Sequence, residues 1–125
     1  MTDKKYTVCI DFDGTLTTYA SGYTPDGDIP DGPTDGAKEA MEKLYRHYKV
    51  VVYSARAGTA KGNIAICNWL DDHGIPCHEV TAVKPPAIAY VDDRAVRFDD
   101  DWKQVLQDIN VPPWHVRKRK EEADG

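Results

Sequence analysis

Asp11 and Asp13 stand two residues apart, just after the apolar run Tyr6–Ile10. Asp92 and Asp93 stand side by side after a second apolar run, Ile88–Val91. In extended chain, positions i and i+2 face the same way. Asp11 and Asp13 therefore present two carboxylates to one side. Carboxylates this close repel, and a cation such as Mg²⁺ beside them relieves the repulsion. If the two apolar runs form neighbouring strands, three or four carboxylates converge. An oxygen-only donor set suits Mg²⁺ far better than zinc. Ser54, at the end of Val50–Tyr53, and Lys84, just before Pro85-Pro86, lie between the acidic pairs. A hydroxyl and a point positive charge can hold a phosphoryl dianion beside a metal. The plainer readings are a turn or helix cap for a single Asp, a turn for Ser54 and a solvated loop for Lys84.

Positioning these groups requires a scaffold, and the pattern supplies one. The chain has 125 residues, 41% of them hydrophobic and 30% charged, which fits one globular domain. Tyr6–Ile10 reads as a strand buried on both faces. Residues 22–36 hold four Gly, three Pro and four Asp, the composition of a loop. Thr34 or Asp35 would N-cap a helix over about 35–48, on which Ala37, Met41, Leu44, Tyr45 and Tyr48 follow helical spacing. Val50–Tyr53 reads as a second buried strand. Lys61–His73 reads as a helix ended by Gly74 at the C′ position. Cys77–Val80, Ile88–Val91 and Ala95–Phe98 read as three further strands, and Asp101–Ile109 as a last helix. Buried strands alternating with amphipathic helices predict an α/β fold with a parallel sheet and helices on both faces. Each polar break of interest follows the carboxyl end of a strand, the edge where open α/β sheets bind ligands.

Several classes are excluded. No apolar run approaches the roughly 18 residues of a membrane span. Met1–Lys5 leads into no signal-peptide pattern. Cys9, Cys67 and Cys77 are odd in number and widely spaced, as reduced thiols of a cytoplasmic protein would be. No zinc-like pairing links Cys67, Cys77 and His78. A net charge of −5 gives no strong nucleic-acid signal. Asp26-Gly27-Asp28 with Asp31 lacks the EF-hand spacing and reads as solvated loop. Asp99–Asp101 reads as an N-cap cluster before Trp102. Arg117–Lys120 is nearly cancelled by Glu121, Glu122 and Asp124. Arg56 and Arg94 flank the candidate site, where contact with a substrate and pairing with a local Asp are both open.

The run Asp11-Phe12-Asp13-Gly14-Thr15-Leu16 resembles the first motif of the haloacid dehalogenase (HAD) superfamily of phosphotransferases. Val51–Arg56 resembles the second motif, Lys84-Pro85 the third and Tyr90–Arg94 the fourth. The motifs stand in family order and span residues 6–98. The resemblance implies a HAD-like Rossmannoid three-layer α/β/α domain over 1–116, a flap loop at 17–34 and a polar tail at 117–125. It implies Asp11 as the nucleophile that forms an aspartyl-phosphate, and Asp13 as the acid and then the base. Asp at that second position is the phosphatase and mutase pattern, which argues against dehalogenation. Asp11, the Asp13 carbonyl and one or both of Asp92 and Asp93 would hold Mg²⁺. Ser54, Lys84 and backbone N–H groups near Phe12 and Ala55 would hold the phosphate. Many family members start a helix at the lysine, but only seven residues separate Lys84 from Asp92. Lys84 must therefore enter the next strand almost directly.

Neither 17–34 nor the segment between Ser54 and Lys84 has room for a folded cap. A capless phosphatase with an open site is implied. An open site favours a bulky phosphorylated substrate but does not identify it: a nucleotide, a polynucleotide end, a phosphoprotein and a phosphometabolite all stay open. A homo-oligomer could shield the site with a neighbouring subunit. Two other classes stay open. A receiver-like phospho-accepting signalling domain would hold phosphate rather than turn it over, but there the lysine comes last, whereas here the second acidic pair, Asp92-Asp93, follows Lys84. A non-catalytic binding module on the same fold would need no intact acids.

Overall fold

The computed structural model of the protein describes residues 6–22, 24 and 27–109. The element order is β1 (Thr7–Asp11), α1 (Ala37–His47), β2 (Lys49–Tyr53), α2 (Ala60–Asp72), β3 (Glu79–Thr81), β4 (Ala89–Val91) and α3 (Trp102–Ile109). A single 3₁₀ turn, Ala55–Gly58, joins β2 to α2. The strands form one sheet in the order β3-β2-β1-β4, and every neighbouring pair is parallel. This is a small Rossmann-like α/β fold. It divides into two compact units at Val91/Asp92, with α3 in the second.

The apolar alternation of the central strands explains the first unit. Val8 pairs with Val50 and Ile10 with Val52, so these four share one face. Both crossovers, β1–α1–β2 and β2–α2–β3, step the same way along the sheet. Right-handed connections then put α1 and α2 on one face. Val8, Ile10, Phe12, Val50 and Val52 accordingly join Met41 of α1 and Ile66, Trp69 and Leu70 of α2 in one buried cluster. Burying each such side chain contributes about 1.5–3 kcal/mol. The other face of the same strands carries Cys9 and Val51, also buried.

Gly74 ends α2 as its spacing predicts. It takes φ 64°, while Ile75 N–H donates to Leu70 O at 2.9 Å and Gly74 N–H to Asp71 O at 3.1 Å. That is the Schellman pattern, which needs a left-handed residue at C′. Asp101 caps α3 as expected, accepting from the N–H groups of Lys103 at 3.0 Å and Gln104 at 3.3 Å. None of Cys9, Cys67 and Cys77 is in a disulfide among the described residues, and of the three Cys9 alone is fully buried.

Three expectations need correction. The N-cap of α1 is Gly36 at φ 81°, not Thr34 or Asp35. The Thr34 hydroxyl is used elsewhere, donating to Thr15 O at 2.7 Å. Ala95–Phe98 forms no strand. The Asp92 carboxylate accepts the Arg94 N–H at 2.8 Å, a local turn that competes with strand pairing. Val96 and Phe98 are left exposed, and Phe98 tilts against Trp102 at 4.7 Å. Finally, β4 is not a buried strand: Tyr90 and Val91 are each nearly half exposed. The tail 117–125 and Asp26 lie outside the described residues.

Candidate active site

The site begins at the exit of β1. Asp11 ends the strand in register with Tyr53, and Phe12 follows with no exposed surface. The Phe12 ring meets Trp69 edge-on at 5.1 Å and 84°. Side chains alternate along a strand, so Phe12 in the helix-covered core turns Asp11 to the opposite face. The chain then closes tightly. The N–H groups of Thr15, Leu16 and Thr17 all reach Phe12 O, at 3.3, 3.0 and 3.1 Å. Gly14 takes φ 83° inside this turn, a conformation that glycine adopts without a Cβ clash.

Asp13 faces the exit of β2. Ser54, 3% exposed, donates from Oγ to Asp13 Oδ2 at 3.4 Å. The same Oγ accepts the Arg56 N–H at 3.2 Å and so caps the 3₁₀ turn. Arg56 Nε donates to both Asp13 oxygens, at 3.2 and 3.0 Å. The two side chains are only 14% and 26% exposed, so this ion pair is shielded from the solvent that makes surface pairs weak. Its geometry depends on Gly62 in the first turn of α2. A Cβ there would lie 1.8 Å from the Arg56 carbonyl oxygen. The 3₁₀ turn and the helix start approach so closely only because residue 62 lacks a side chain.

The remaining predicted residues fall into three settings. Ala55 opens the 3₁₀ turn and is exposed, leaving its surroundings open to a ligand. Lys84 is exposed, with Nζ 5.3 Å from the centre of the Tyr53 ring and 5.8 Å from that of Tyr90. Asp92 and Asp93 open the second unit directly after β4. Val91, the last residue of β4, pairs with Ile10, and β1 and β4 run parallel. The condition that the two acid-bearing strands be neighbours is therefore met. The chain leaves them as Asp11 in one case and Asp92 in the other.

The loop 17–34 is anchored at its base. Thr17 is 1% exposed and bridges Pro33, and Thr18 N–H donates to Gly32 O at 3.1 Å. Trp69 Nε1 donates to Asp31 O at 2.9 Å, and the Asp31 carboxylate holds Ser21. Asp31 thus serves the loop's own structure.

The pattern of types and spacing did not assign Arg56 to Asp13, and it missed Gly62, Tyr53 and Tyr90 altogether. An arginine two residues past a strand-end serine carries a signal only once β1 and β2 are known to be adjacent. No family model matches the chain, and comparison with curated proteins and with solved structures finds no match.

Proposed function

We propose that the chain is a Mg²⁺-dependent phosphomonoester hydrolase, a capless HAD-type phosphatase acting through an aspartyl-phosphate. The observation that carries this reading is the setting of Asp13. It stands two residues beyond Asp11 at a sheet exit, held by Ser54 and Arg56 from the adjacent strand's exit. A carboxylate held by a hydroxyl and a guanidinium, two residues along the chain from a second carboxylate, is a set of groups for anionic substrate and proton transfer.

In the first step an Asp11 carboxylate oxygen bonds to phosphorus while the ester P–O bond breaks. Asp13 delivers a proton to the departing oxygen. In the second step a water oxygen bonds to phosphorus, Asp13 takes the water's proton, and the acyl phosphate P–O bond breaks. Phosphate leaves and the Asp11 carboxylate is restored. Ser54 Oγ–H and the Lys84 ammonium hold the phosphoryl oxygens throughout. Asp11, the Asp13 carbonyl and Asp92 or Asp93 offer only oxygen donors, a set that fits a hard divalent cation. When bound, Mg²⁺ supplies charge neutralisation, so that an anionic oxygen can approach a dianion.

The test is phosphate release from p-nitrophenyl phosphate with Mg²⁺ and with EDTA, for wild type and Asp11→Asn. Turnover that needs the metal and falls at least about 10³-fold in the variant supports the reading. Metal-independent turnover, or an Asp11→Asn variant as active as wild type, overturns it.

A further inference from the structure

We propose that Tyr53 and Tyr90 are positioning residues that clamp the Lys84 ammonium over the sheet face carrying Asp11. This rests on the phosphatase reading and supplies what the short connection before β4 takes away. A lysine on an exposed loop, on a stem of four rotatable carbons, is a poorly aimed charge. The connection from Lys84 to β4, which begins at Ala89, is too short to hold a helix that would orient the side chain.

The sheet register provides the alternative. Tyr53 pairs with Asp11 and Tyr90 pairs with Cys9. Asp11 and Cys9 are two apart on β1, so both tyrosines and Asp11 project from the same face. They flank β1 from either side, about 10 Å apart across two strand spacings. Lys84 Nζ lies 5.3 Å from one ring centre and 5.8 Å from the other. Both distances are within the roughly 6 Å range of cation–π attraction. An ammonium near both rings at once is held above β1, on the side of the nucleophile. Tyr90 has a second hold, since its hydroxyl donates to Pro85 O at 2.7 Å. That bond ties the backbone next to Lys84 to β4, and Pro85-Pro86 stiffens the link. Ring and hydroxyl of one residue thus fix both the base and the tip of the lysine.

The experiment uses the full chain and two readouts. The first is steady-state kinetics on p-nitrophenyl phosphate, with inhibition by inorganic phosphate, for Tyr53→Leu, Tyr90→Leu, their combination, Tyr53→Phe and Tyr90→Phe. Each Leu variant is expected to raise KM and the phosphate inhibition constant roughly five-fold, with a smaller change in kcat. Tyr53→Phe keeps the ring and behaves as wild type. Tyr90→Phe keeps the ring but loses the Pro85 bond, and falls between. The second readout needs no activity: Lys84 carrying ¹³C-methyl groups, identified by the signal lost in Lys84→Arg, shows a ring-current shift that disappears in the double Leu variant. A wild-type Lys84 signal at the free-lysine position overturns the clamp. A shifted signal with unchanged KM and phosphate inhibition in the double variant overturns its positioning role. A wild type with neither turnover nor phosphate binding overturns the phosphatase reading and the role with it, while the methyl shift still reports the ring contact.

Discussion

The two ends of the central strands use polar side chains in opposite ways. Where β2 begins, polar groups serve the backbone. His78 Nδ1 accepts the Val50 N–H at 2.9 Å, and the His78 N–H donates to Val50 O at 2.8 Å. Tyr45 stacks on the same imidazole at 4.2 Å. A side chain here stands in for one more residue of strand pairing, beside a pocket of about 340 Å³ lined by Cys67, Leu70 and Cys77. Where β1 and β2 end, polar groups mainly serve one another: Asp13, Ser54 and Arg56 are joined side chain to side chain, with Ser54 Oγ also capping the 3₁₀ turn at the Arg56 N–H. A group committed to the backbone is bound up with folding. A group held by another side chain can exchange that partner for a ligand without the sheet coming apart.

The largest expected effect separates the two ends by chemistry. Asp13→Asn removes the proton donor proposed for the reaction and keeps the side chain's shape. Hydrolysis of an alkyl phosphate should drop by about 10²–10⁴-fold. p-Nitrophenyl phosphate should suffer less in its first step, because its leaving group needs no proton. The thermal unfolding midpoint should fall too, because the shielded Arg56 guanidinium loses its counter-charge. Equal losses on the two esters would break the assignment of Asp13 as the acid.

Gly62→Ala attacks the exit end through its backbone. The new Cβ meets the Arg56 carbonyl at 1.8 Å, so the 3₁₀ turn or the start of α2 must shift. The expected cost is about 2–3 kcal/mol of stability, with a loss of activity as Arg56 leaves Asp13. Denaturant midpoints and kcat/KM measured together check this. Full activity with lower stability would show that the Arg56–Asp13 geometry is dispensable.

These residues also mark how far the sequence could be read. The strands were legible because Val8, Ile10, Val50 and Val52 form short, β-branched, apolar runs, and α2 because Ile66, Trp69 and Leu70 keep helical spacing up to Gly74. The acids at strand ends were legible by type and position. Gly62 was not, because its constraint comes from a carbonyl six positions back, brought over it by a turn. Tyr53 and Tyr90 were not, because an aromatic on a strand reads equally as core until the register shows which neighbours it has. Ala95–Phe98 misled because a local side-chain hydrogen bond, Asp92 to Arg94 N–H, outweighed an apolar alternation of only four residues.

At the other end, His78→Ala leaves the Val50 N–H without its acceptor and removes the ring under Tyr45. The expected loss is roughly 1–2 kcal/mol of stability, seen as a lower urea midpoint with kcat/KM unchanged. The exposed Lys49–Glu79 pair, at 3.5 Å, should contribute less than about 1 kcal/mol, so Glu79→Gln is a near-silent control. A fall in kcat/KM for His78→Ala would couple the two ends and break the comparison.

The smallest effect is one of pH at this same end. Burial first, and then Cys67 nearby, push the Cys77 thiol up to about 11 from an ordinary 9.0. The neutral thiol is thus favoured more in the folded than in the unfolded chain. A raised folded value means that this contribution to stability is fully present below pH 9. It is lost as the pH climbs through 11, where the folded chain must also bury a thiolate. Since the thiolate is the reactive form, Cys77 should alkylate with iodoacetamide far more slowly at pH 8 in the native protein than in urea. Mass spectrometry of timed samples gives the rates. Equal rates in both states would mean that the wall of this pocket opens readily, and that the backbone-serving end of the sheet is no firmer than the exit end.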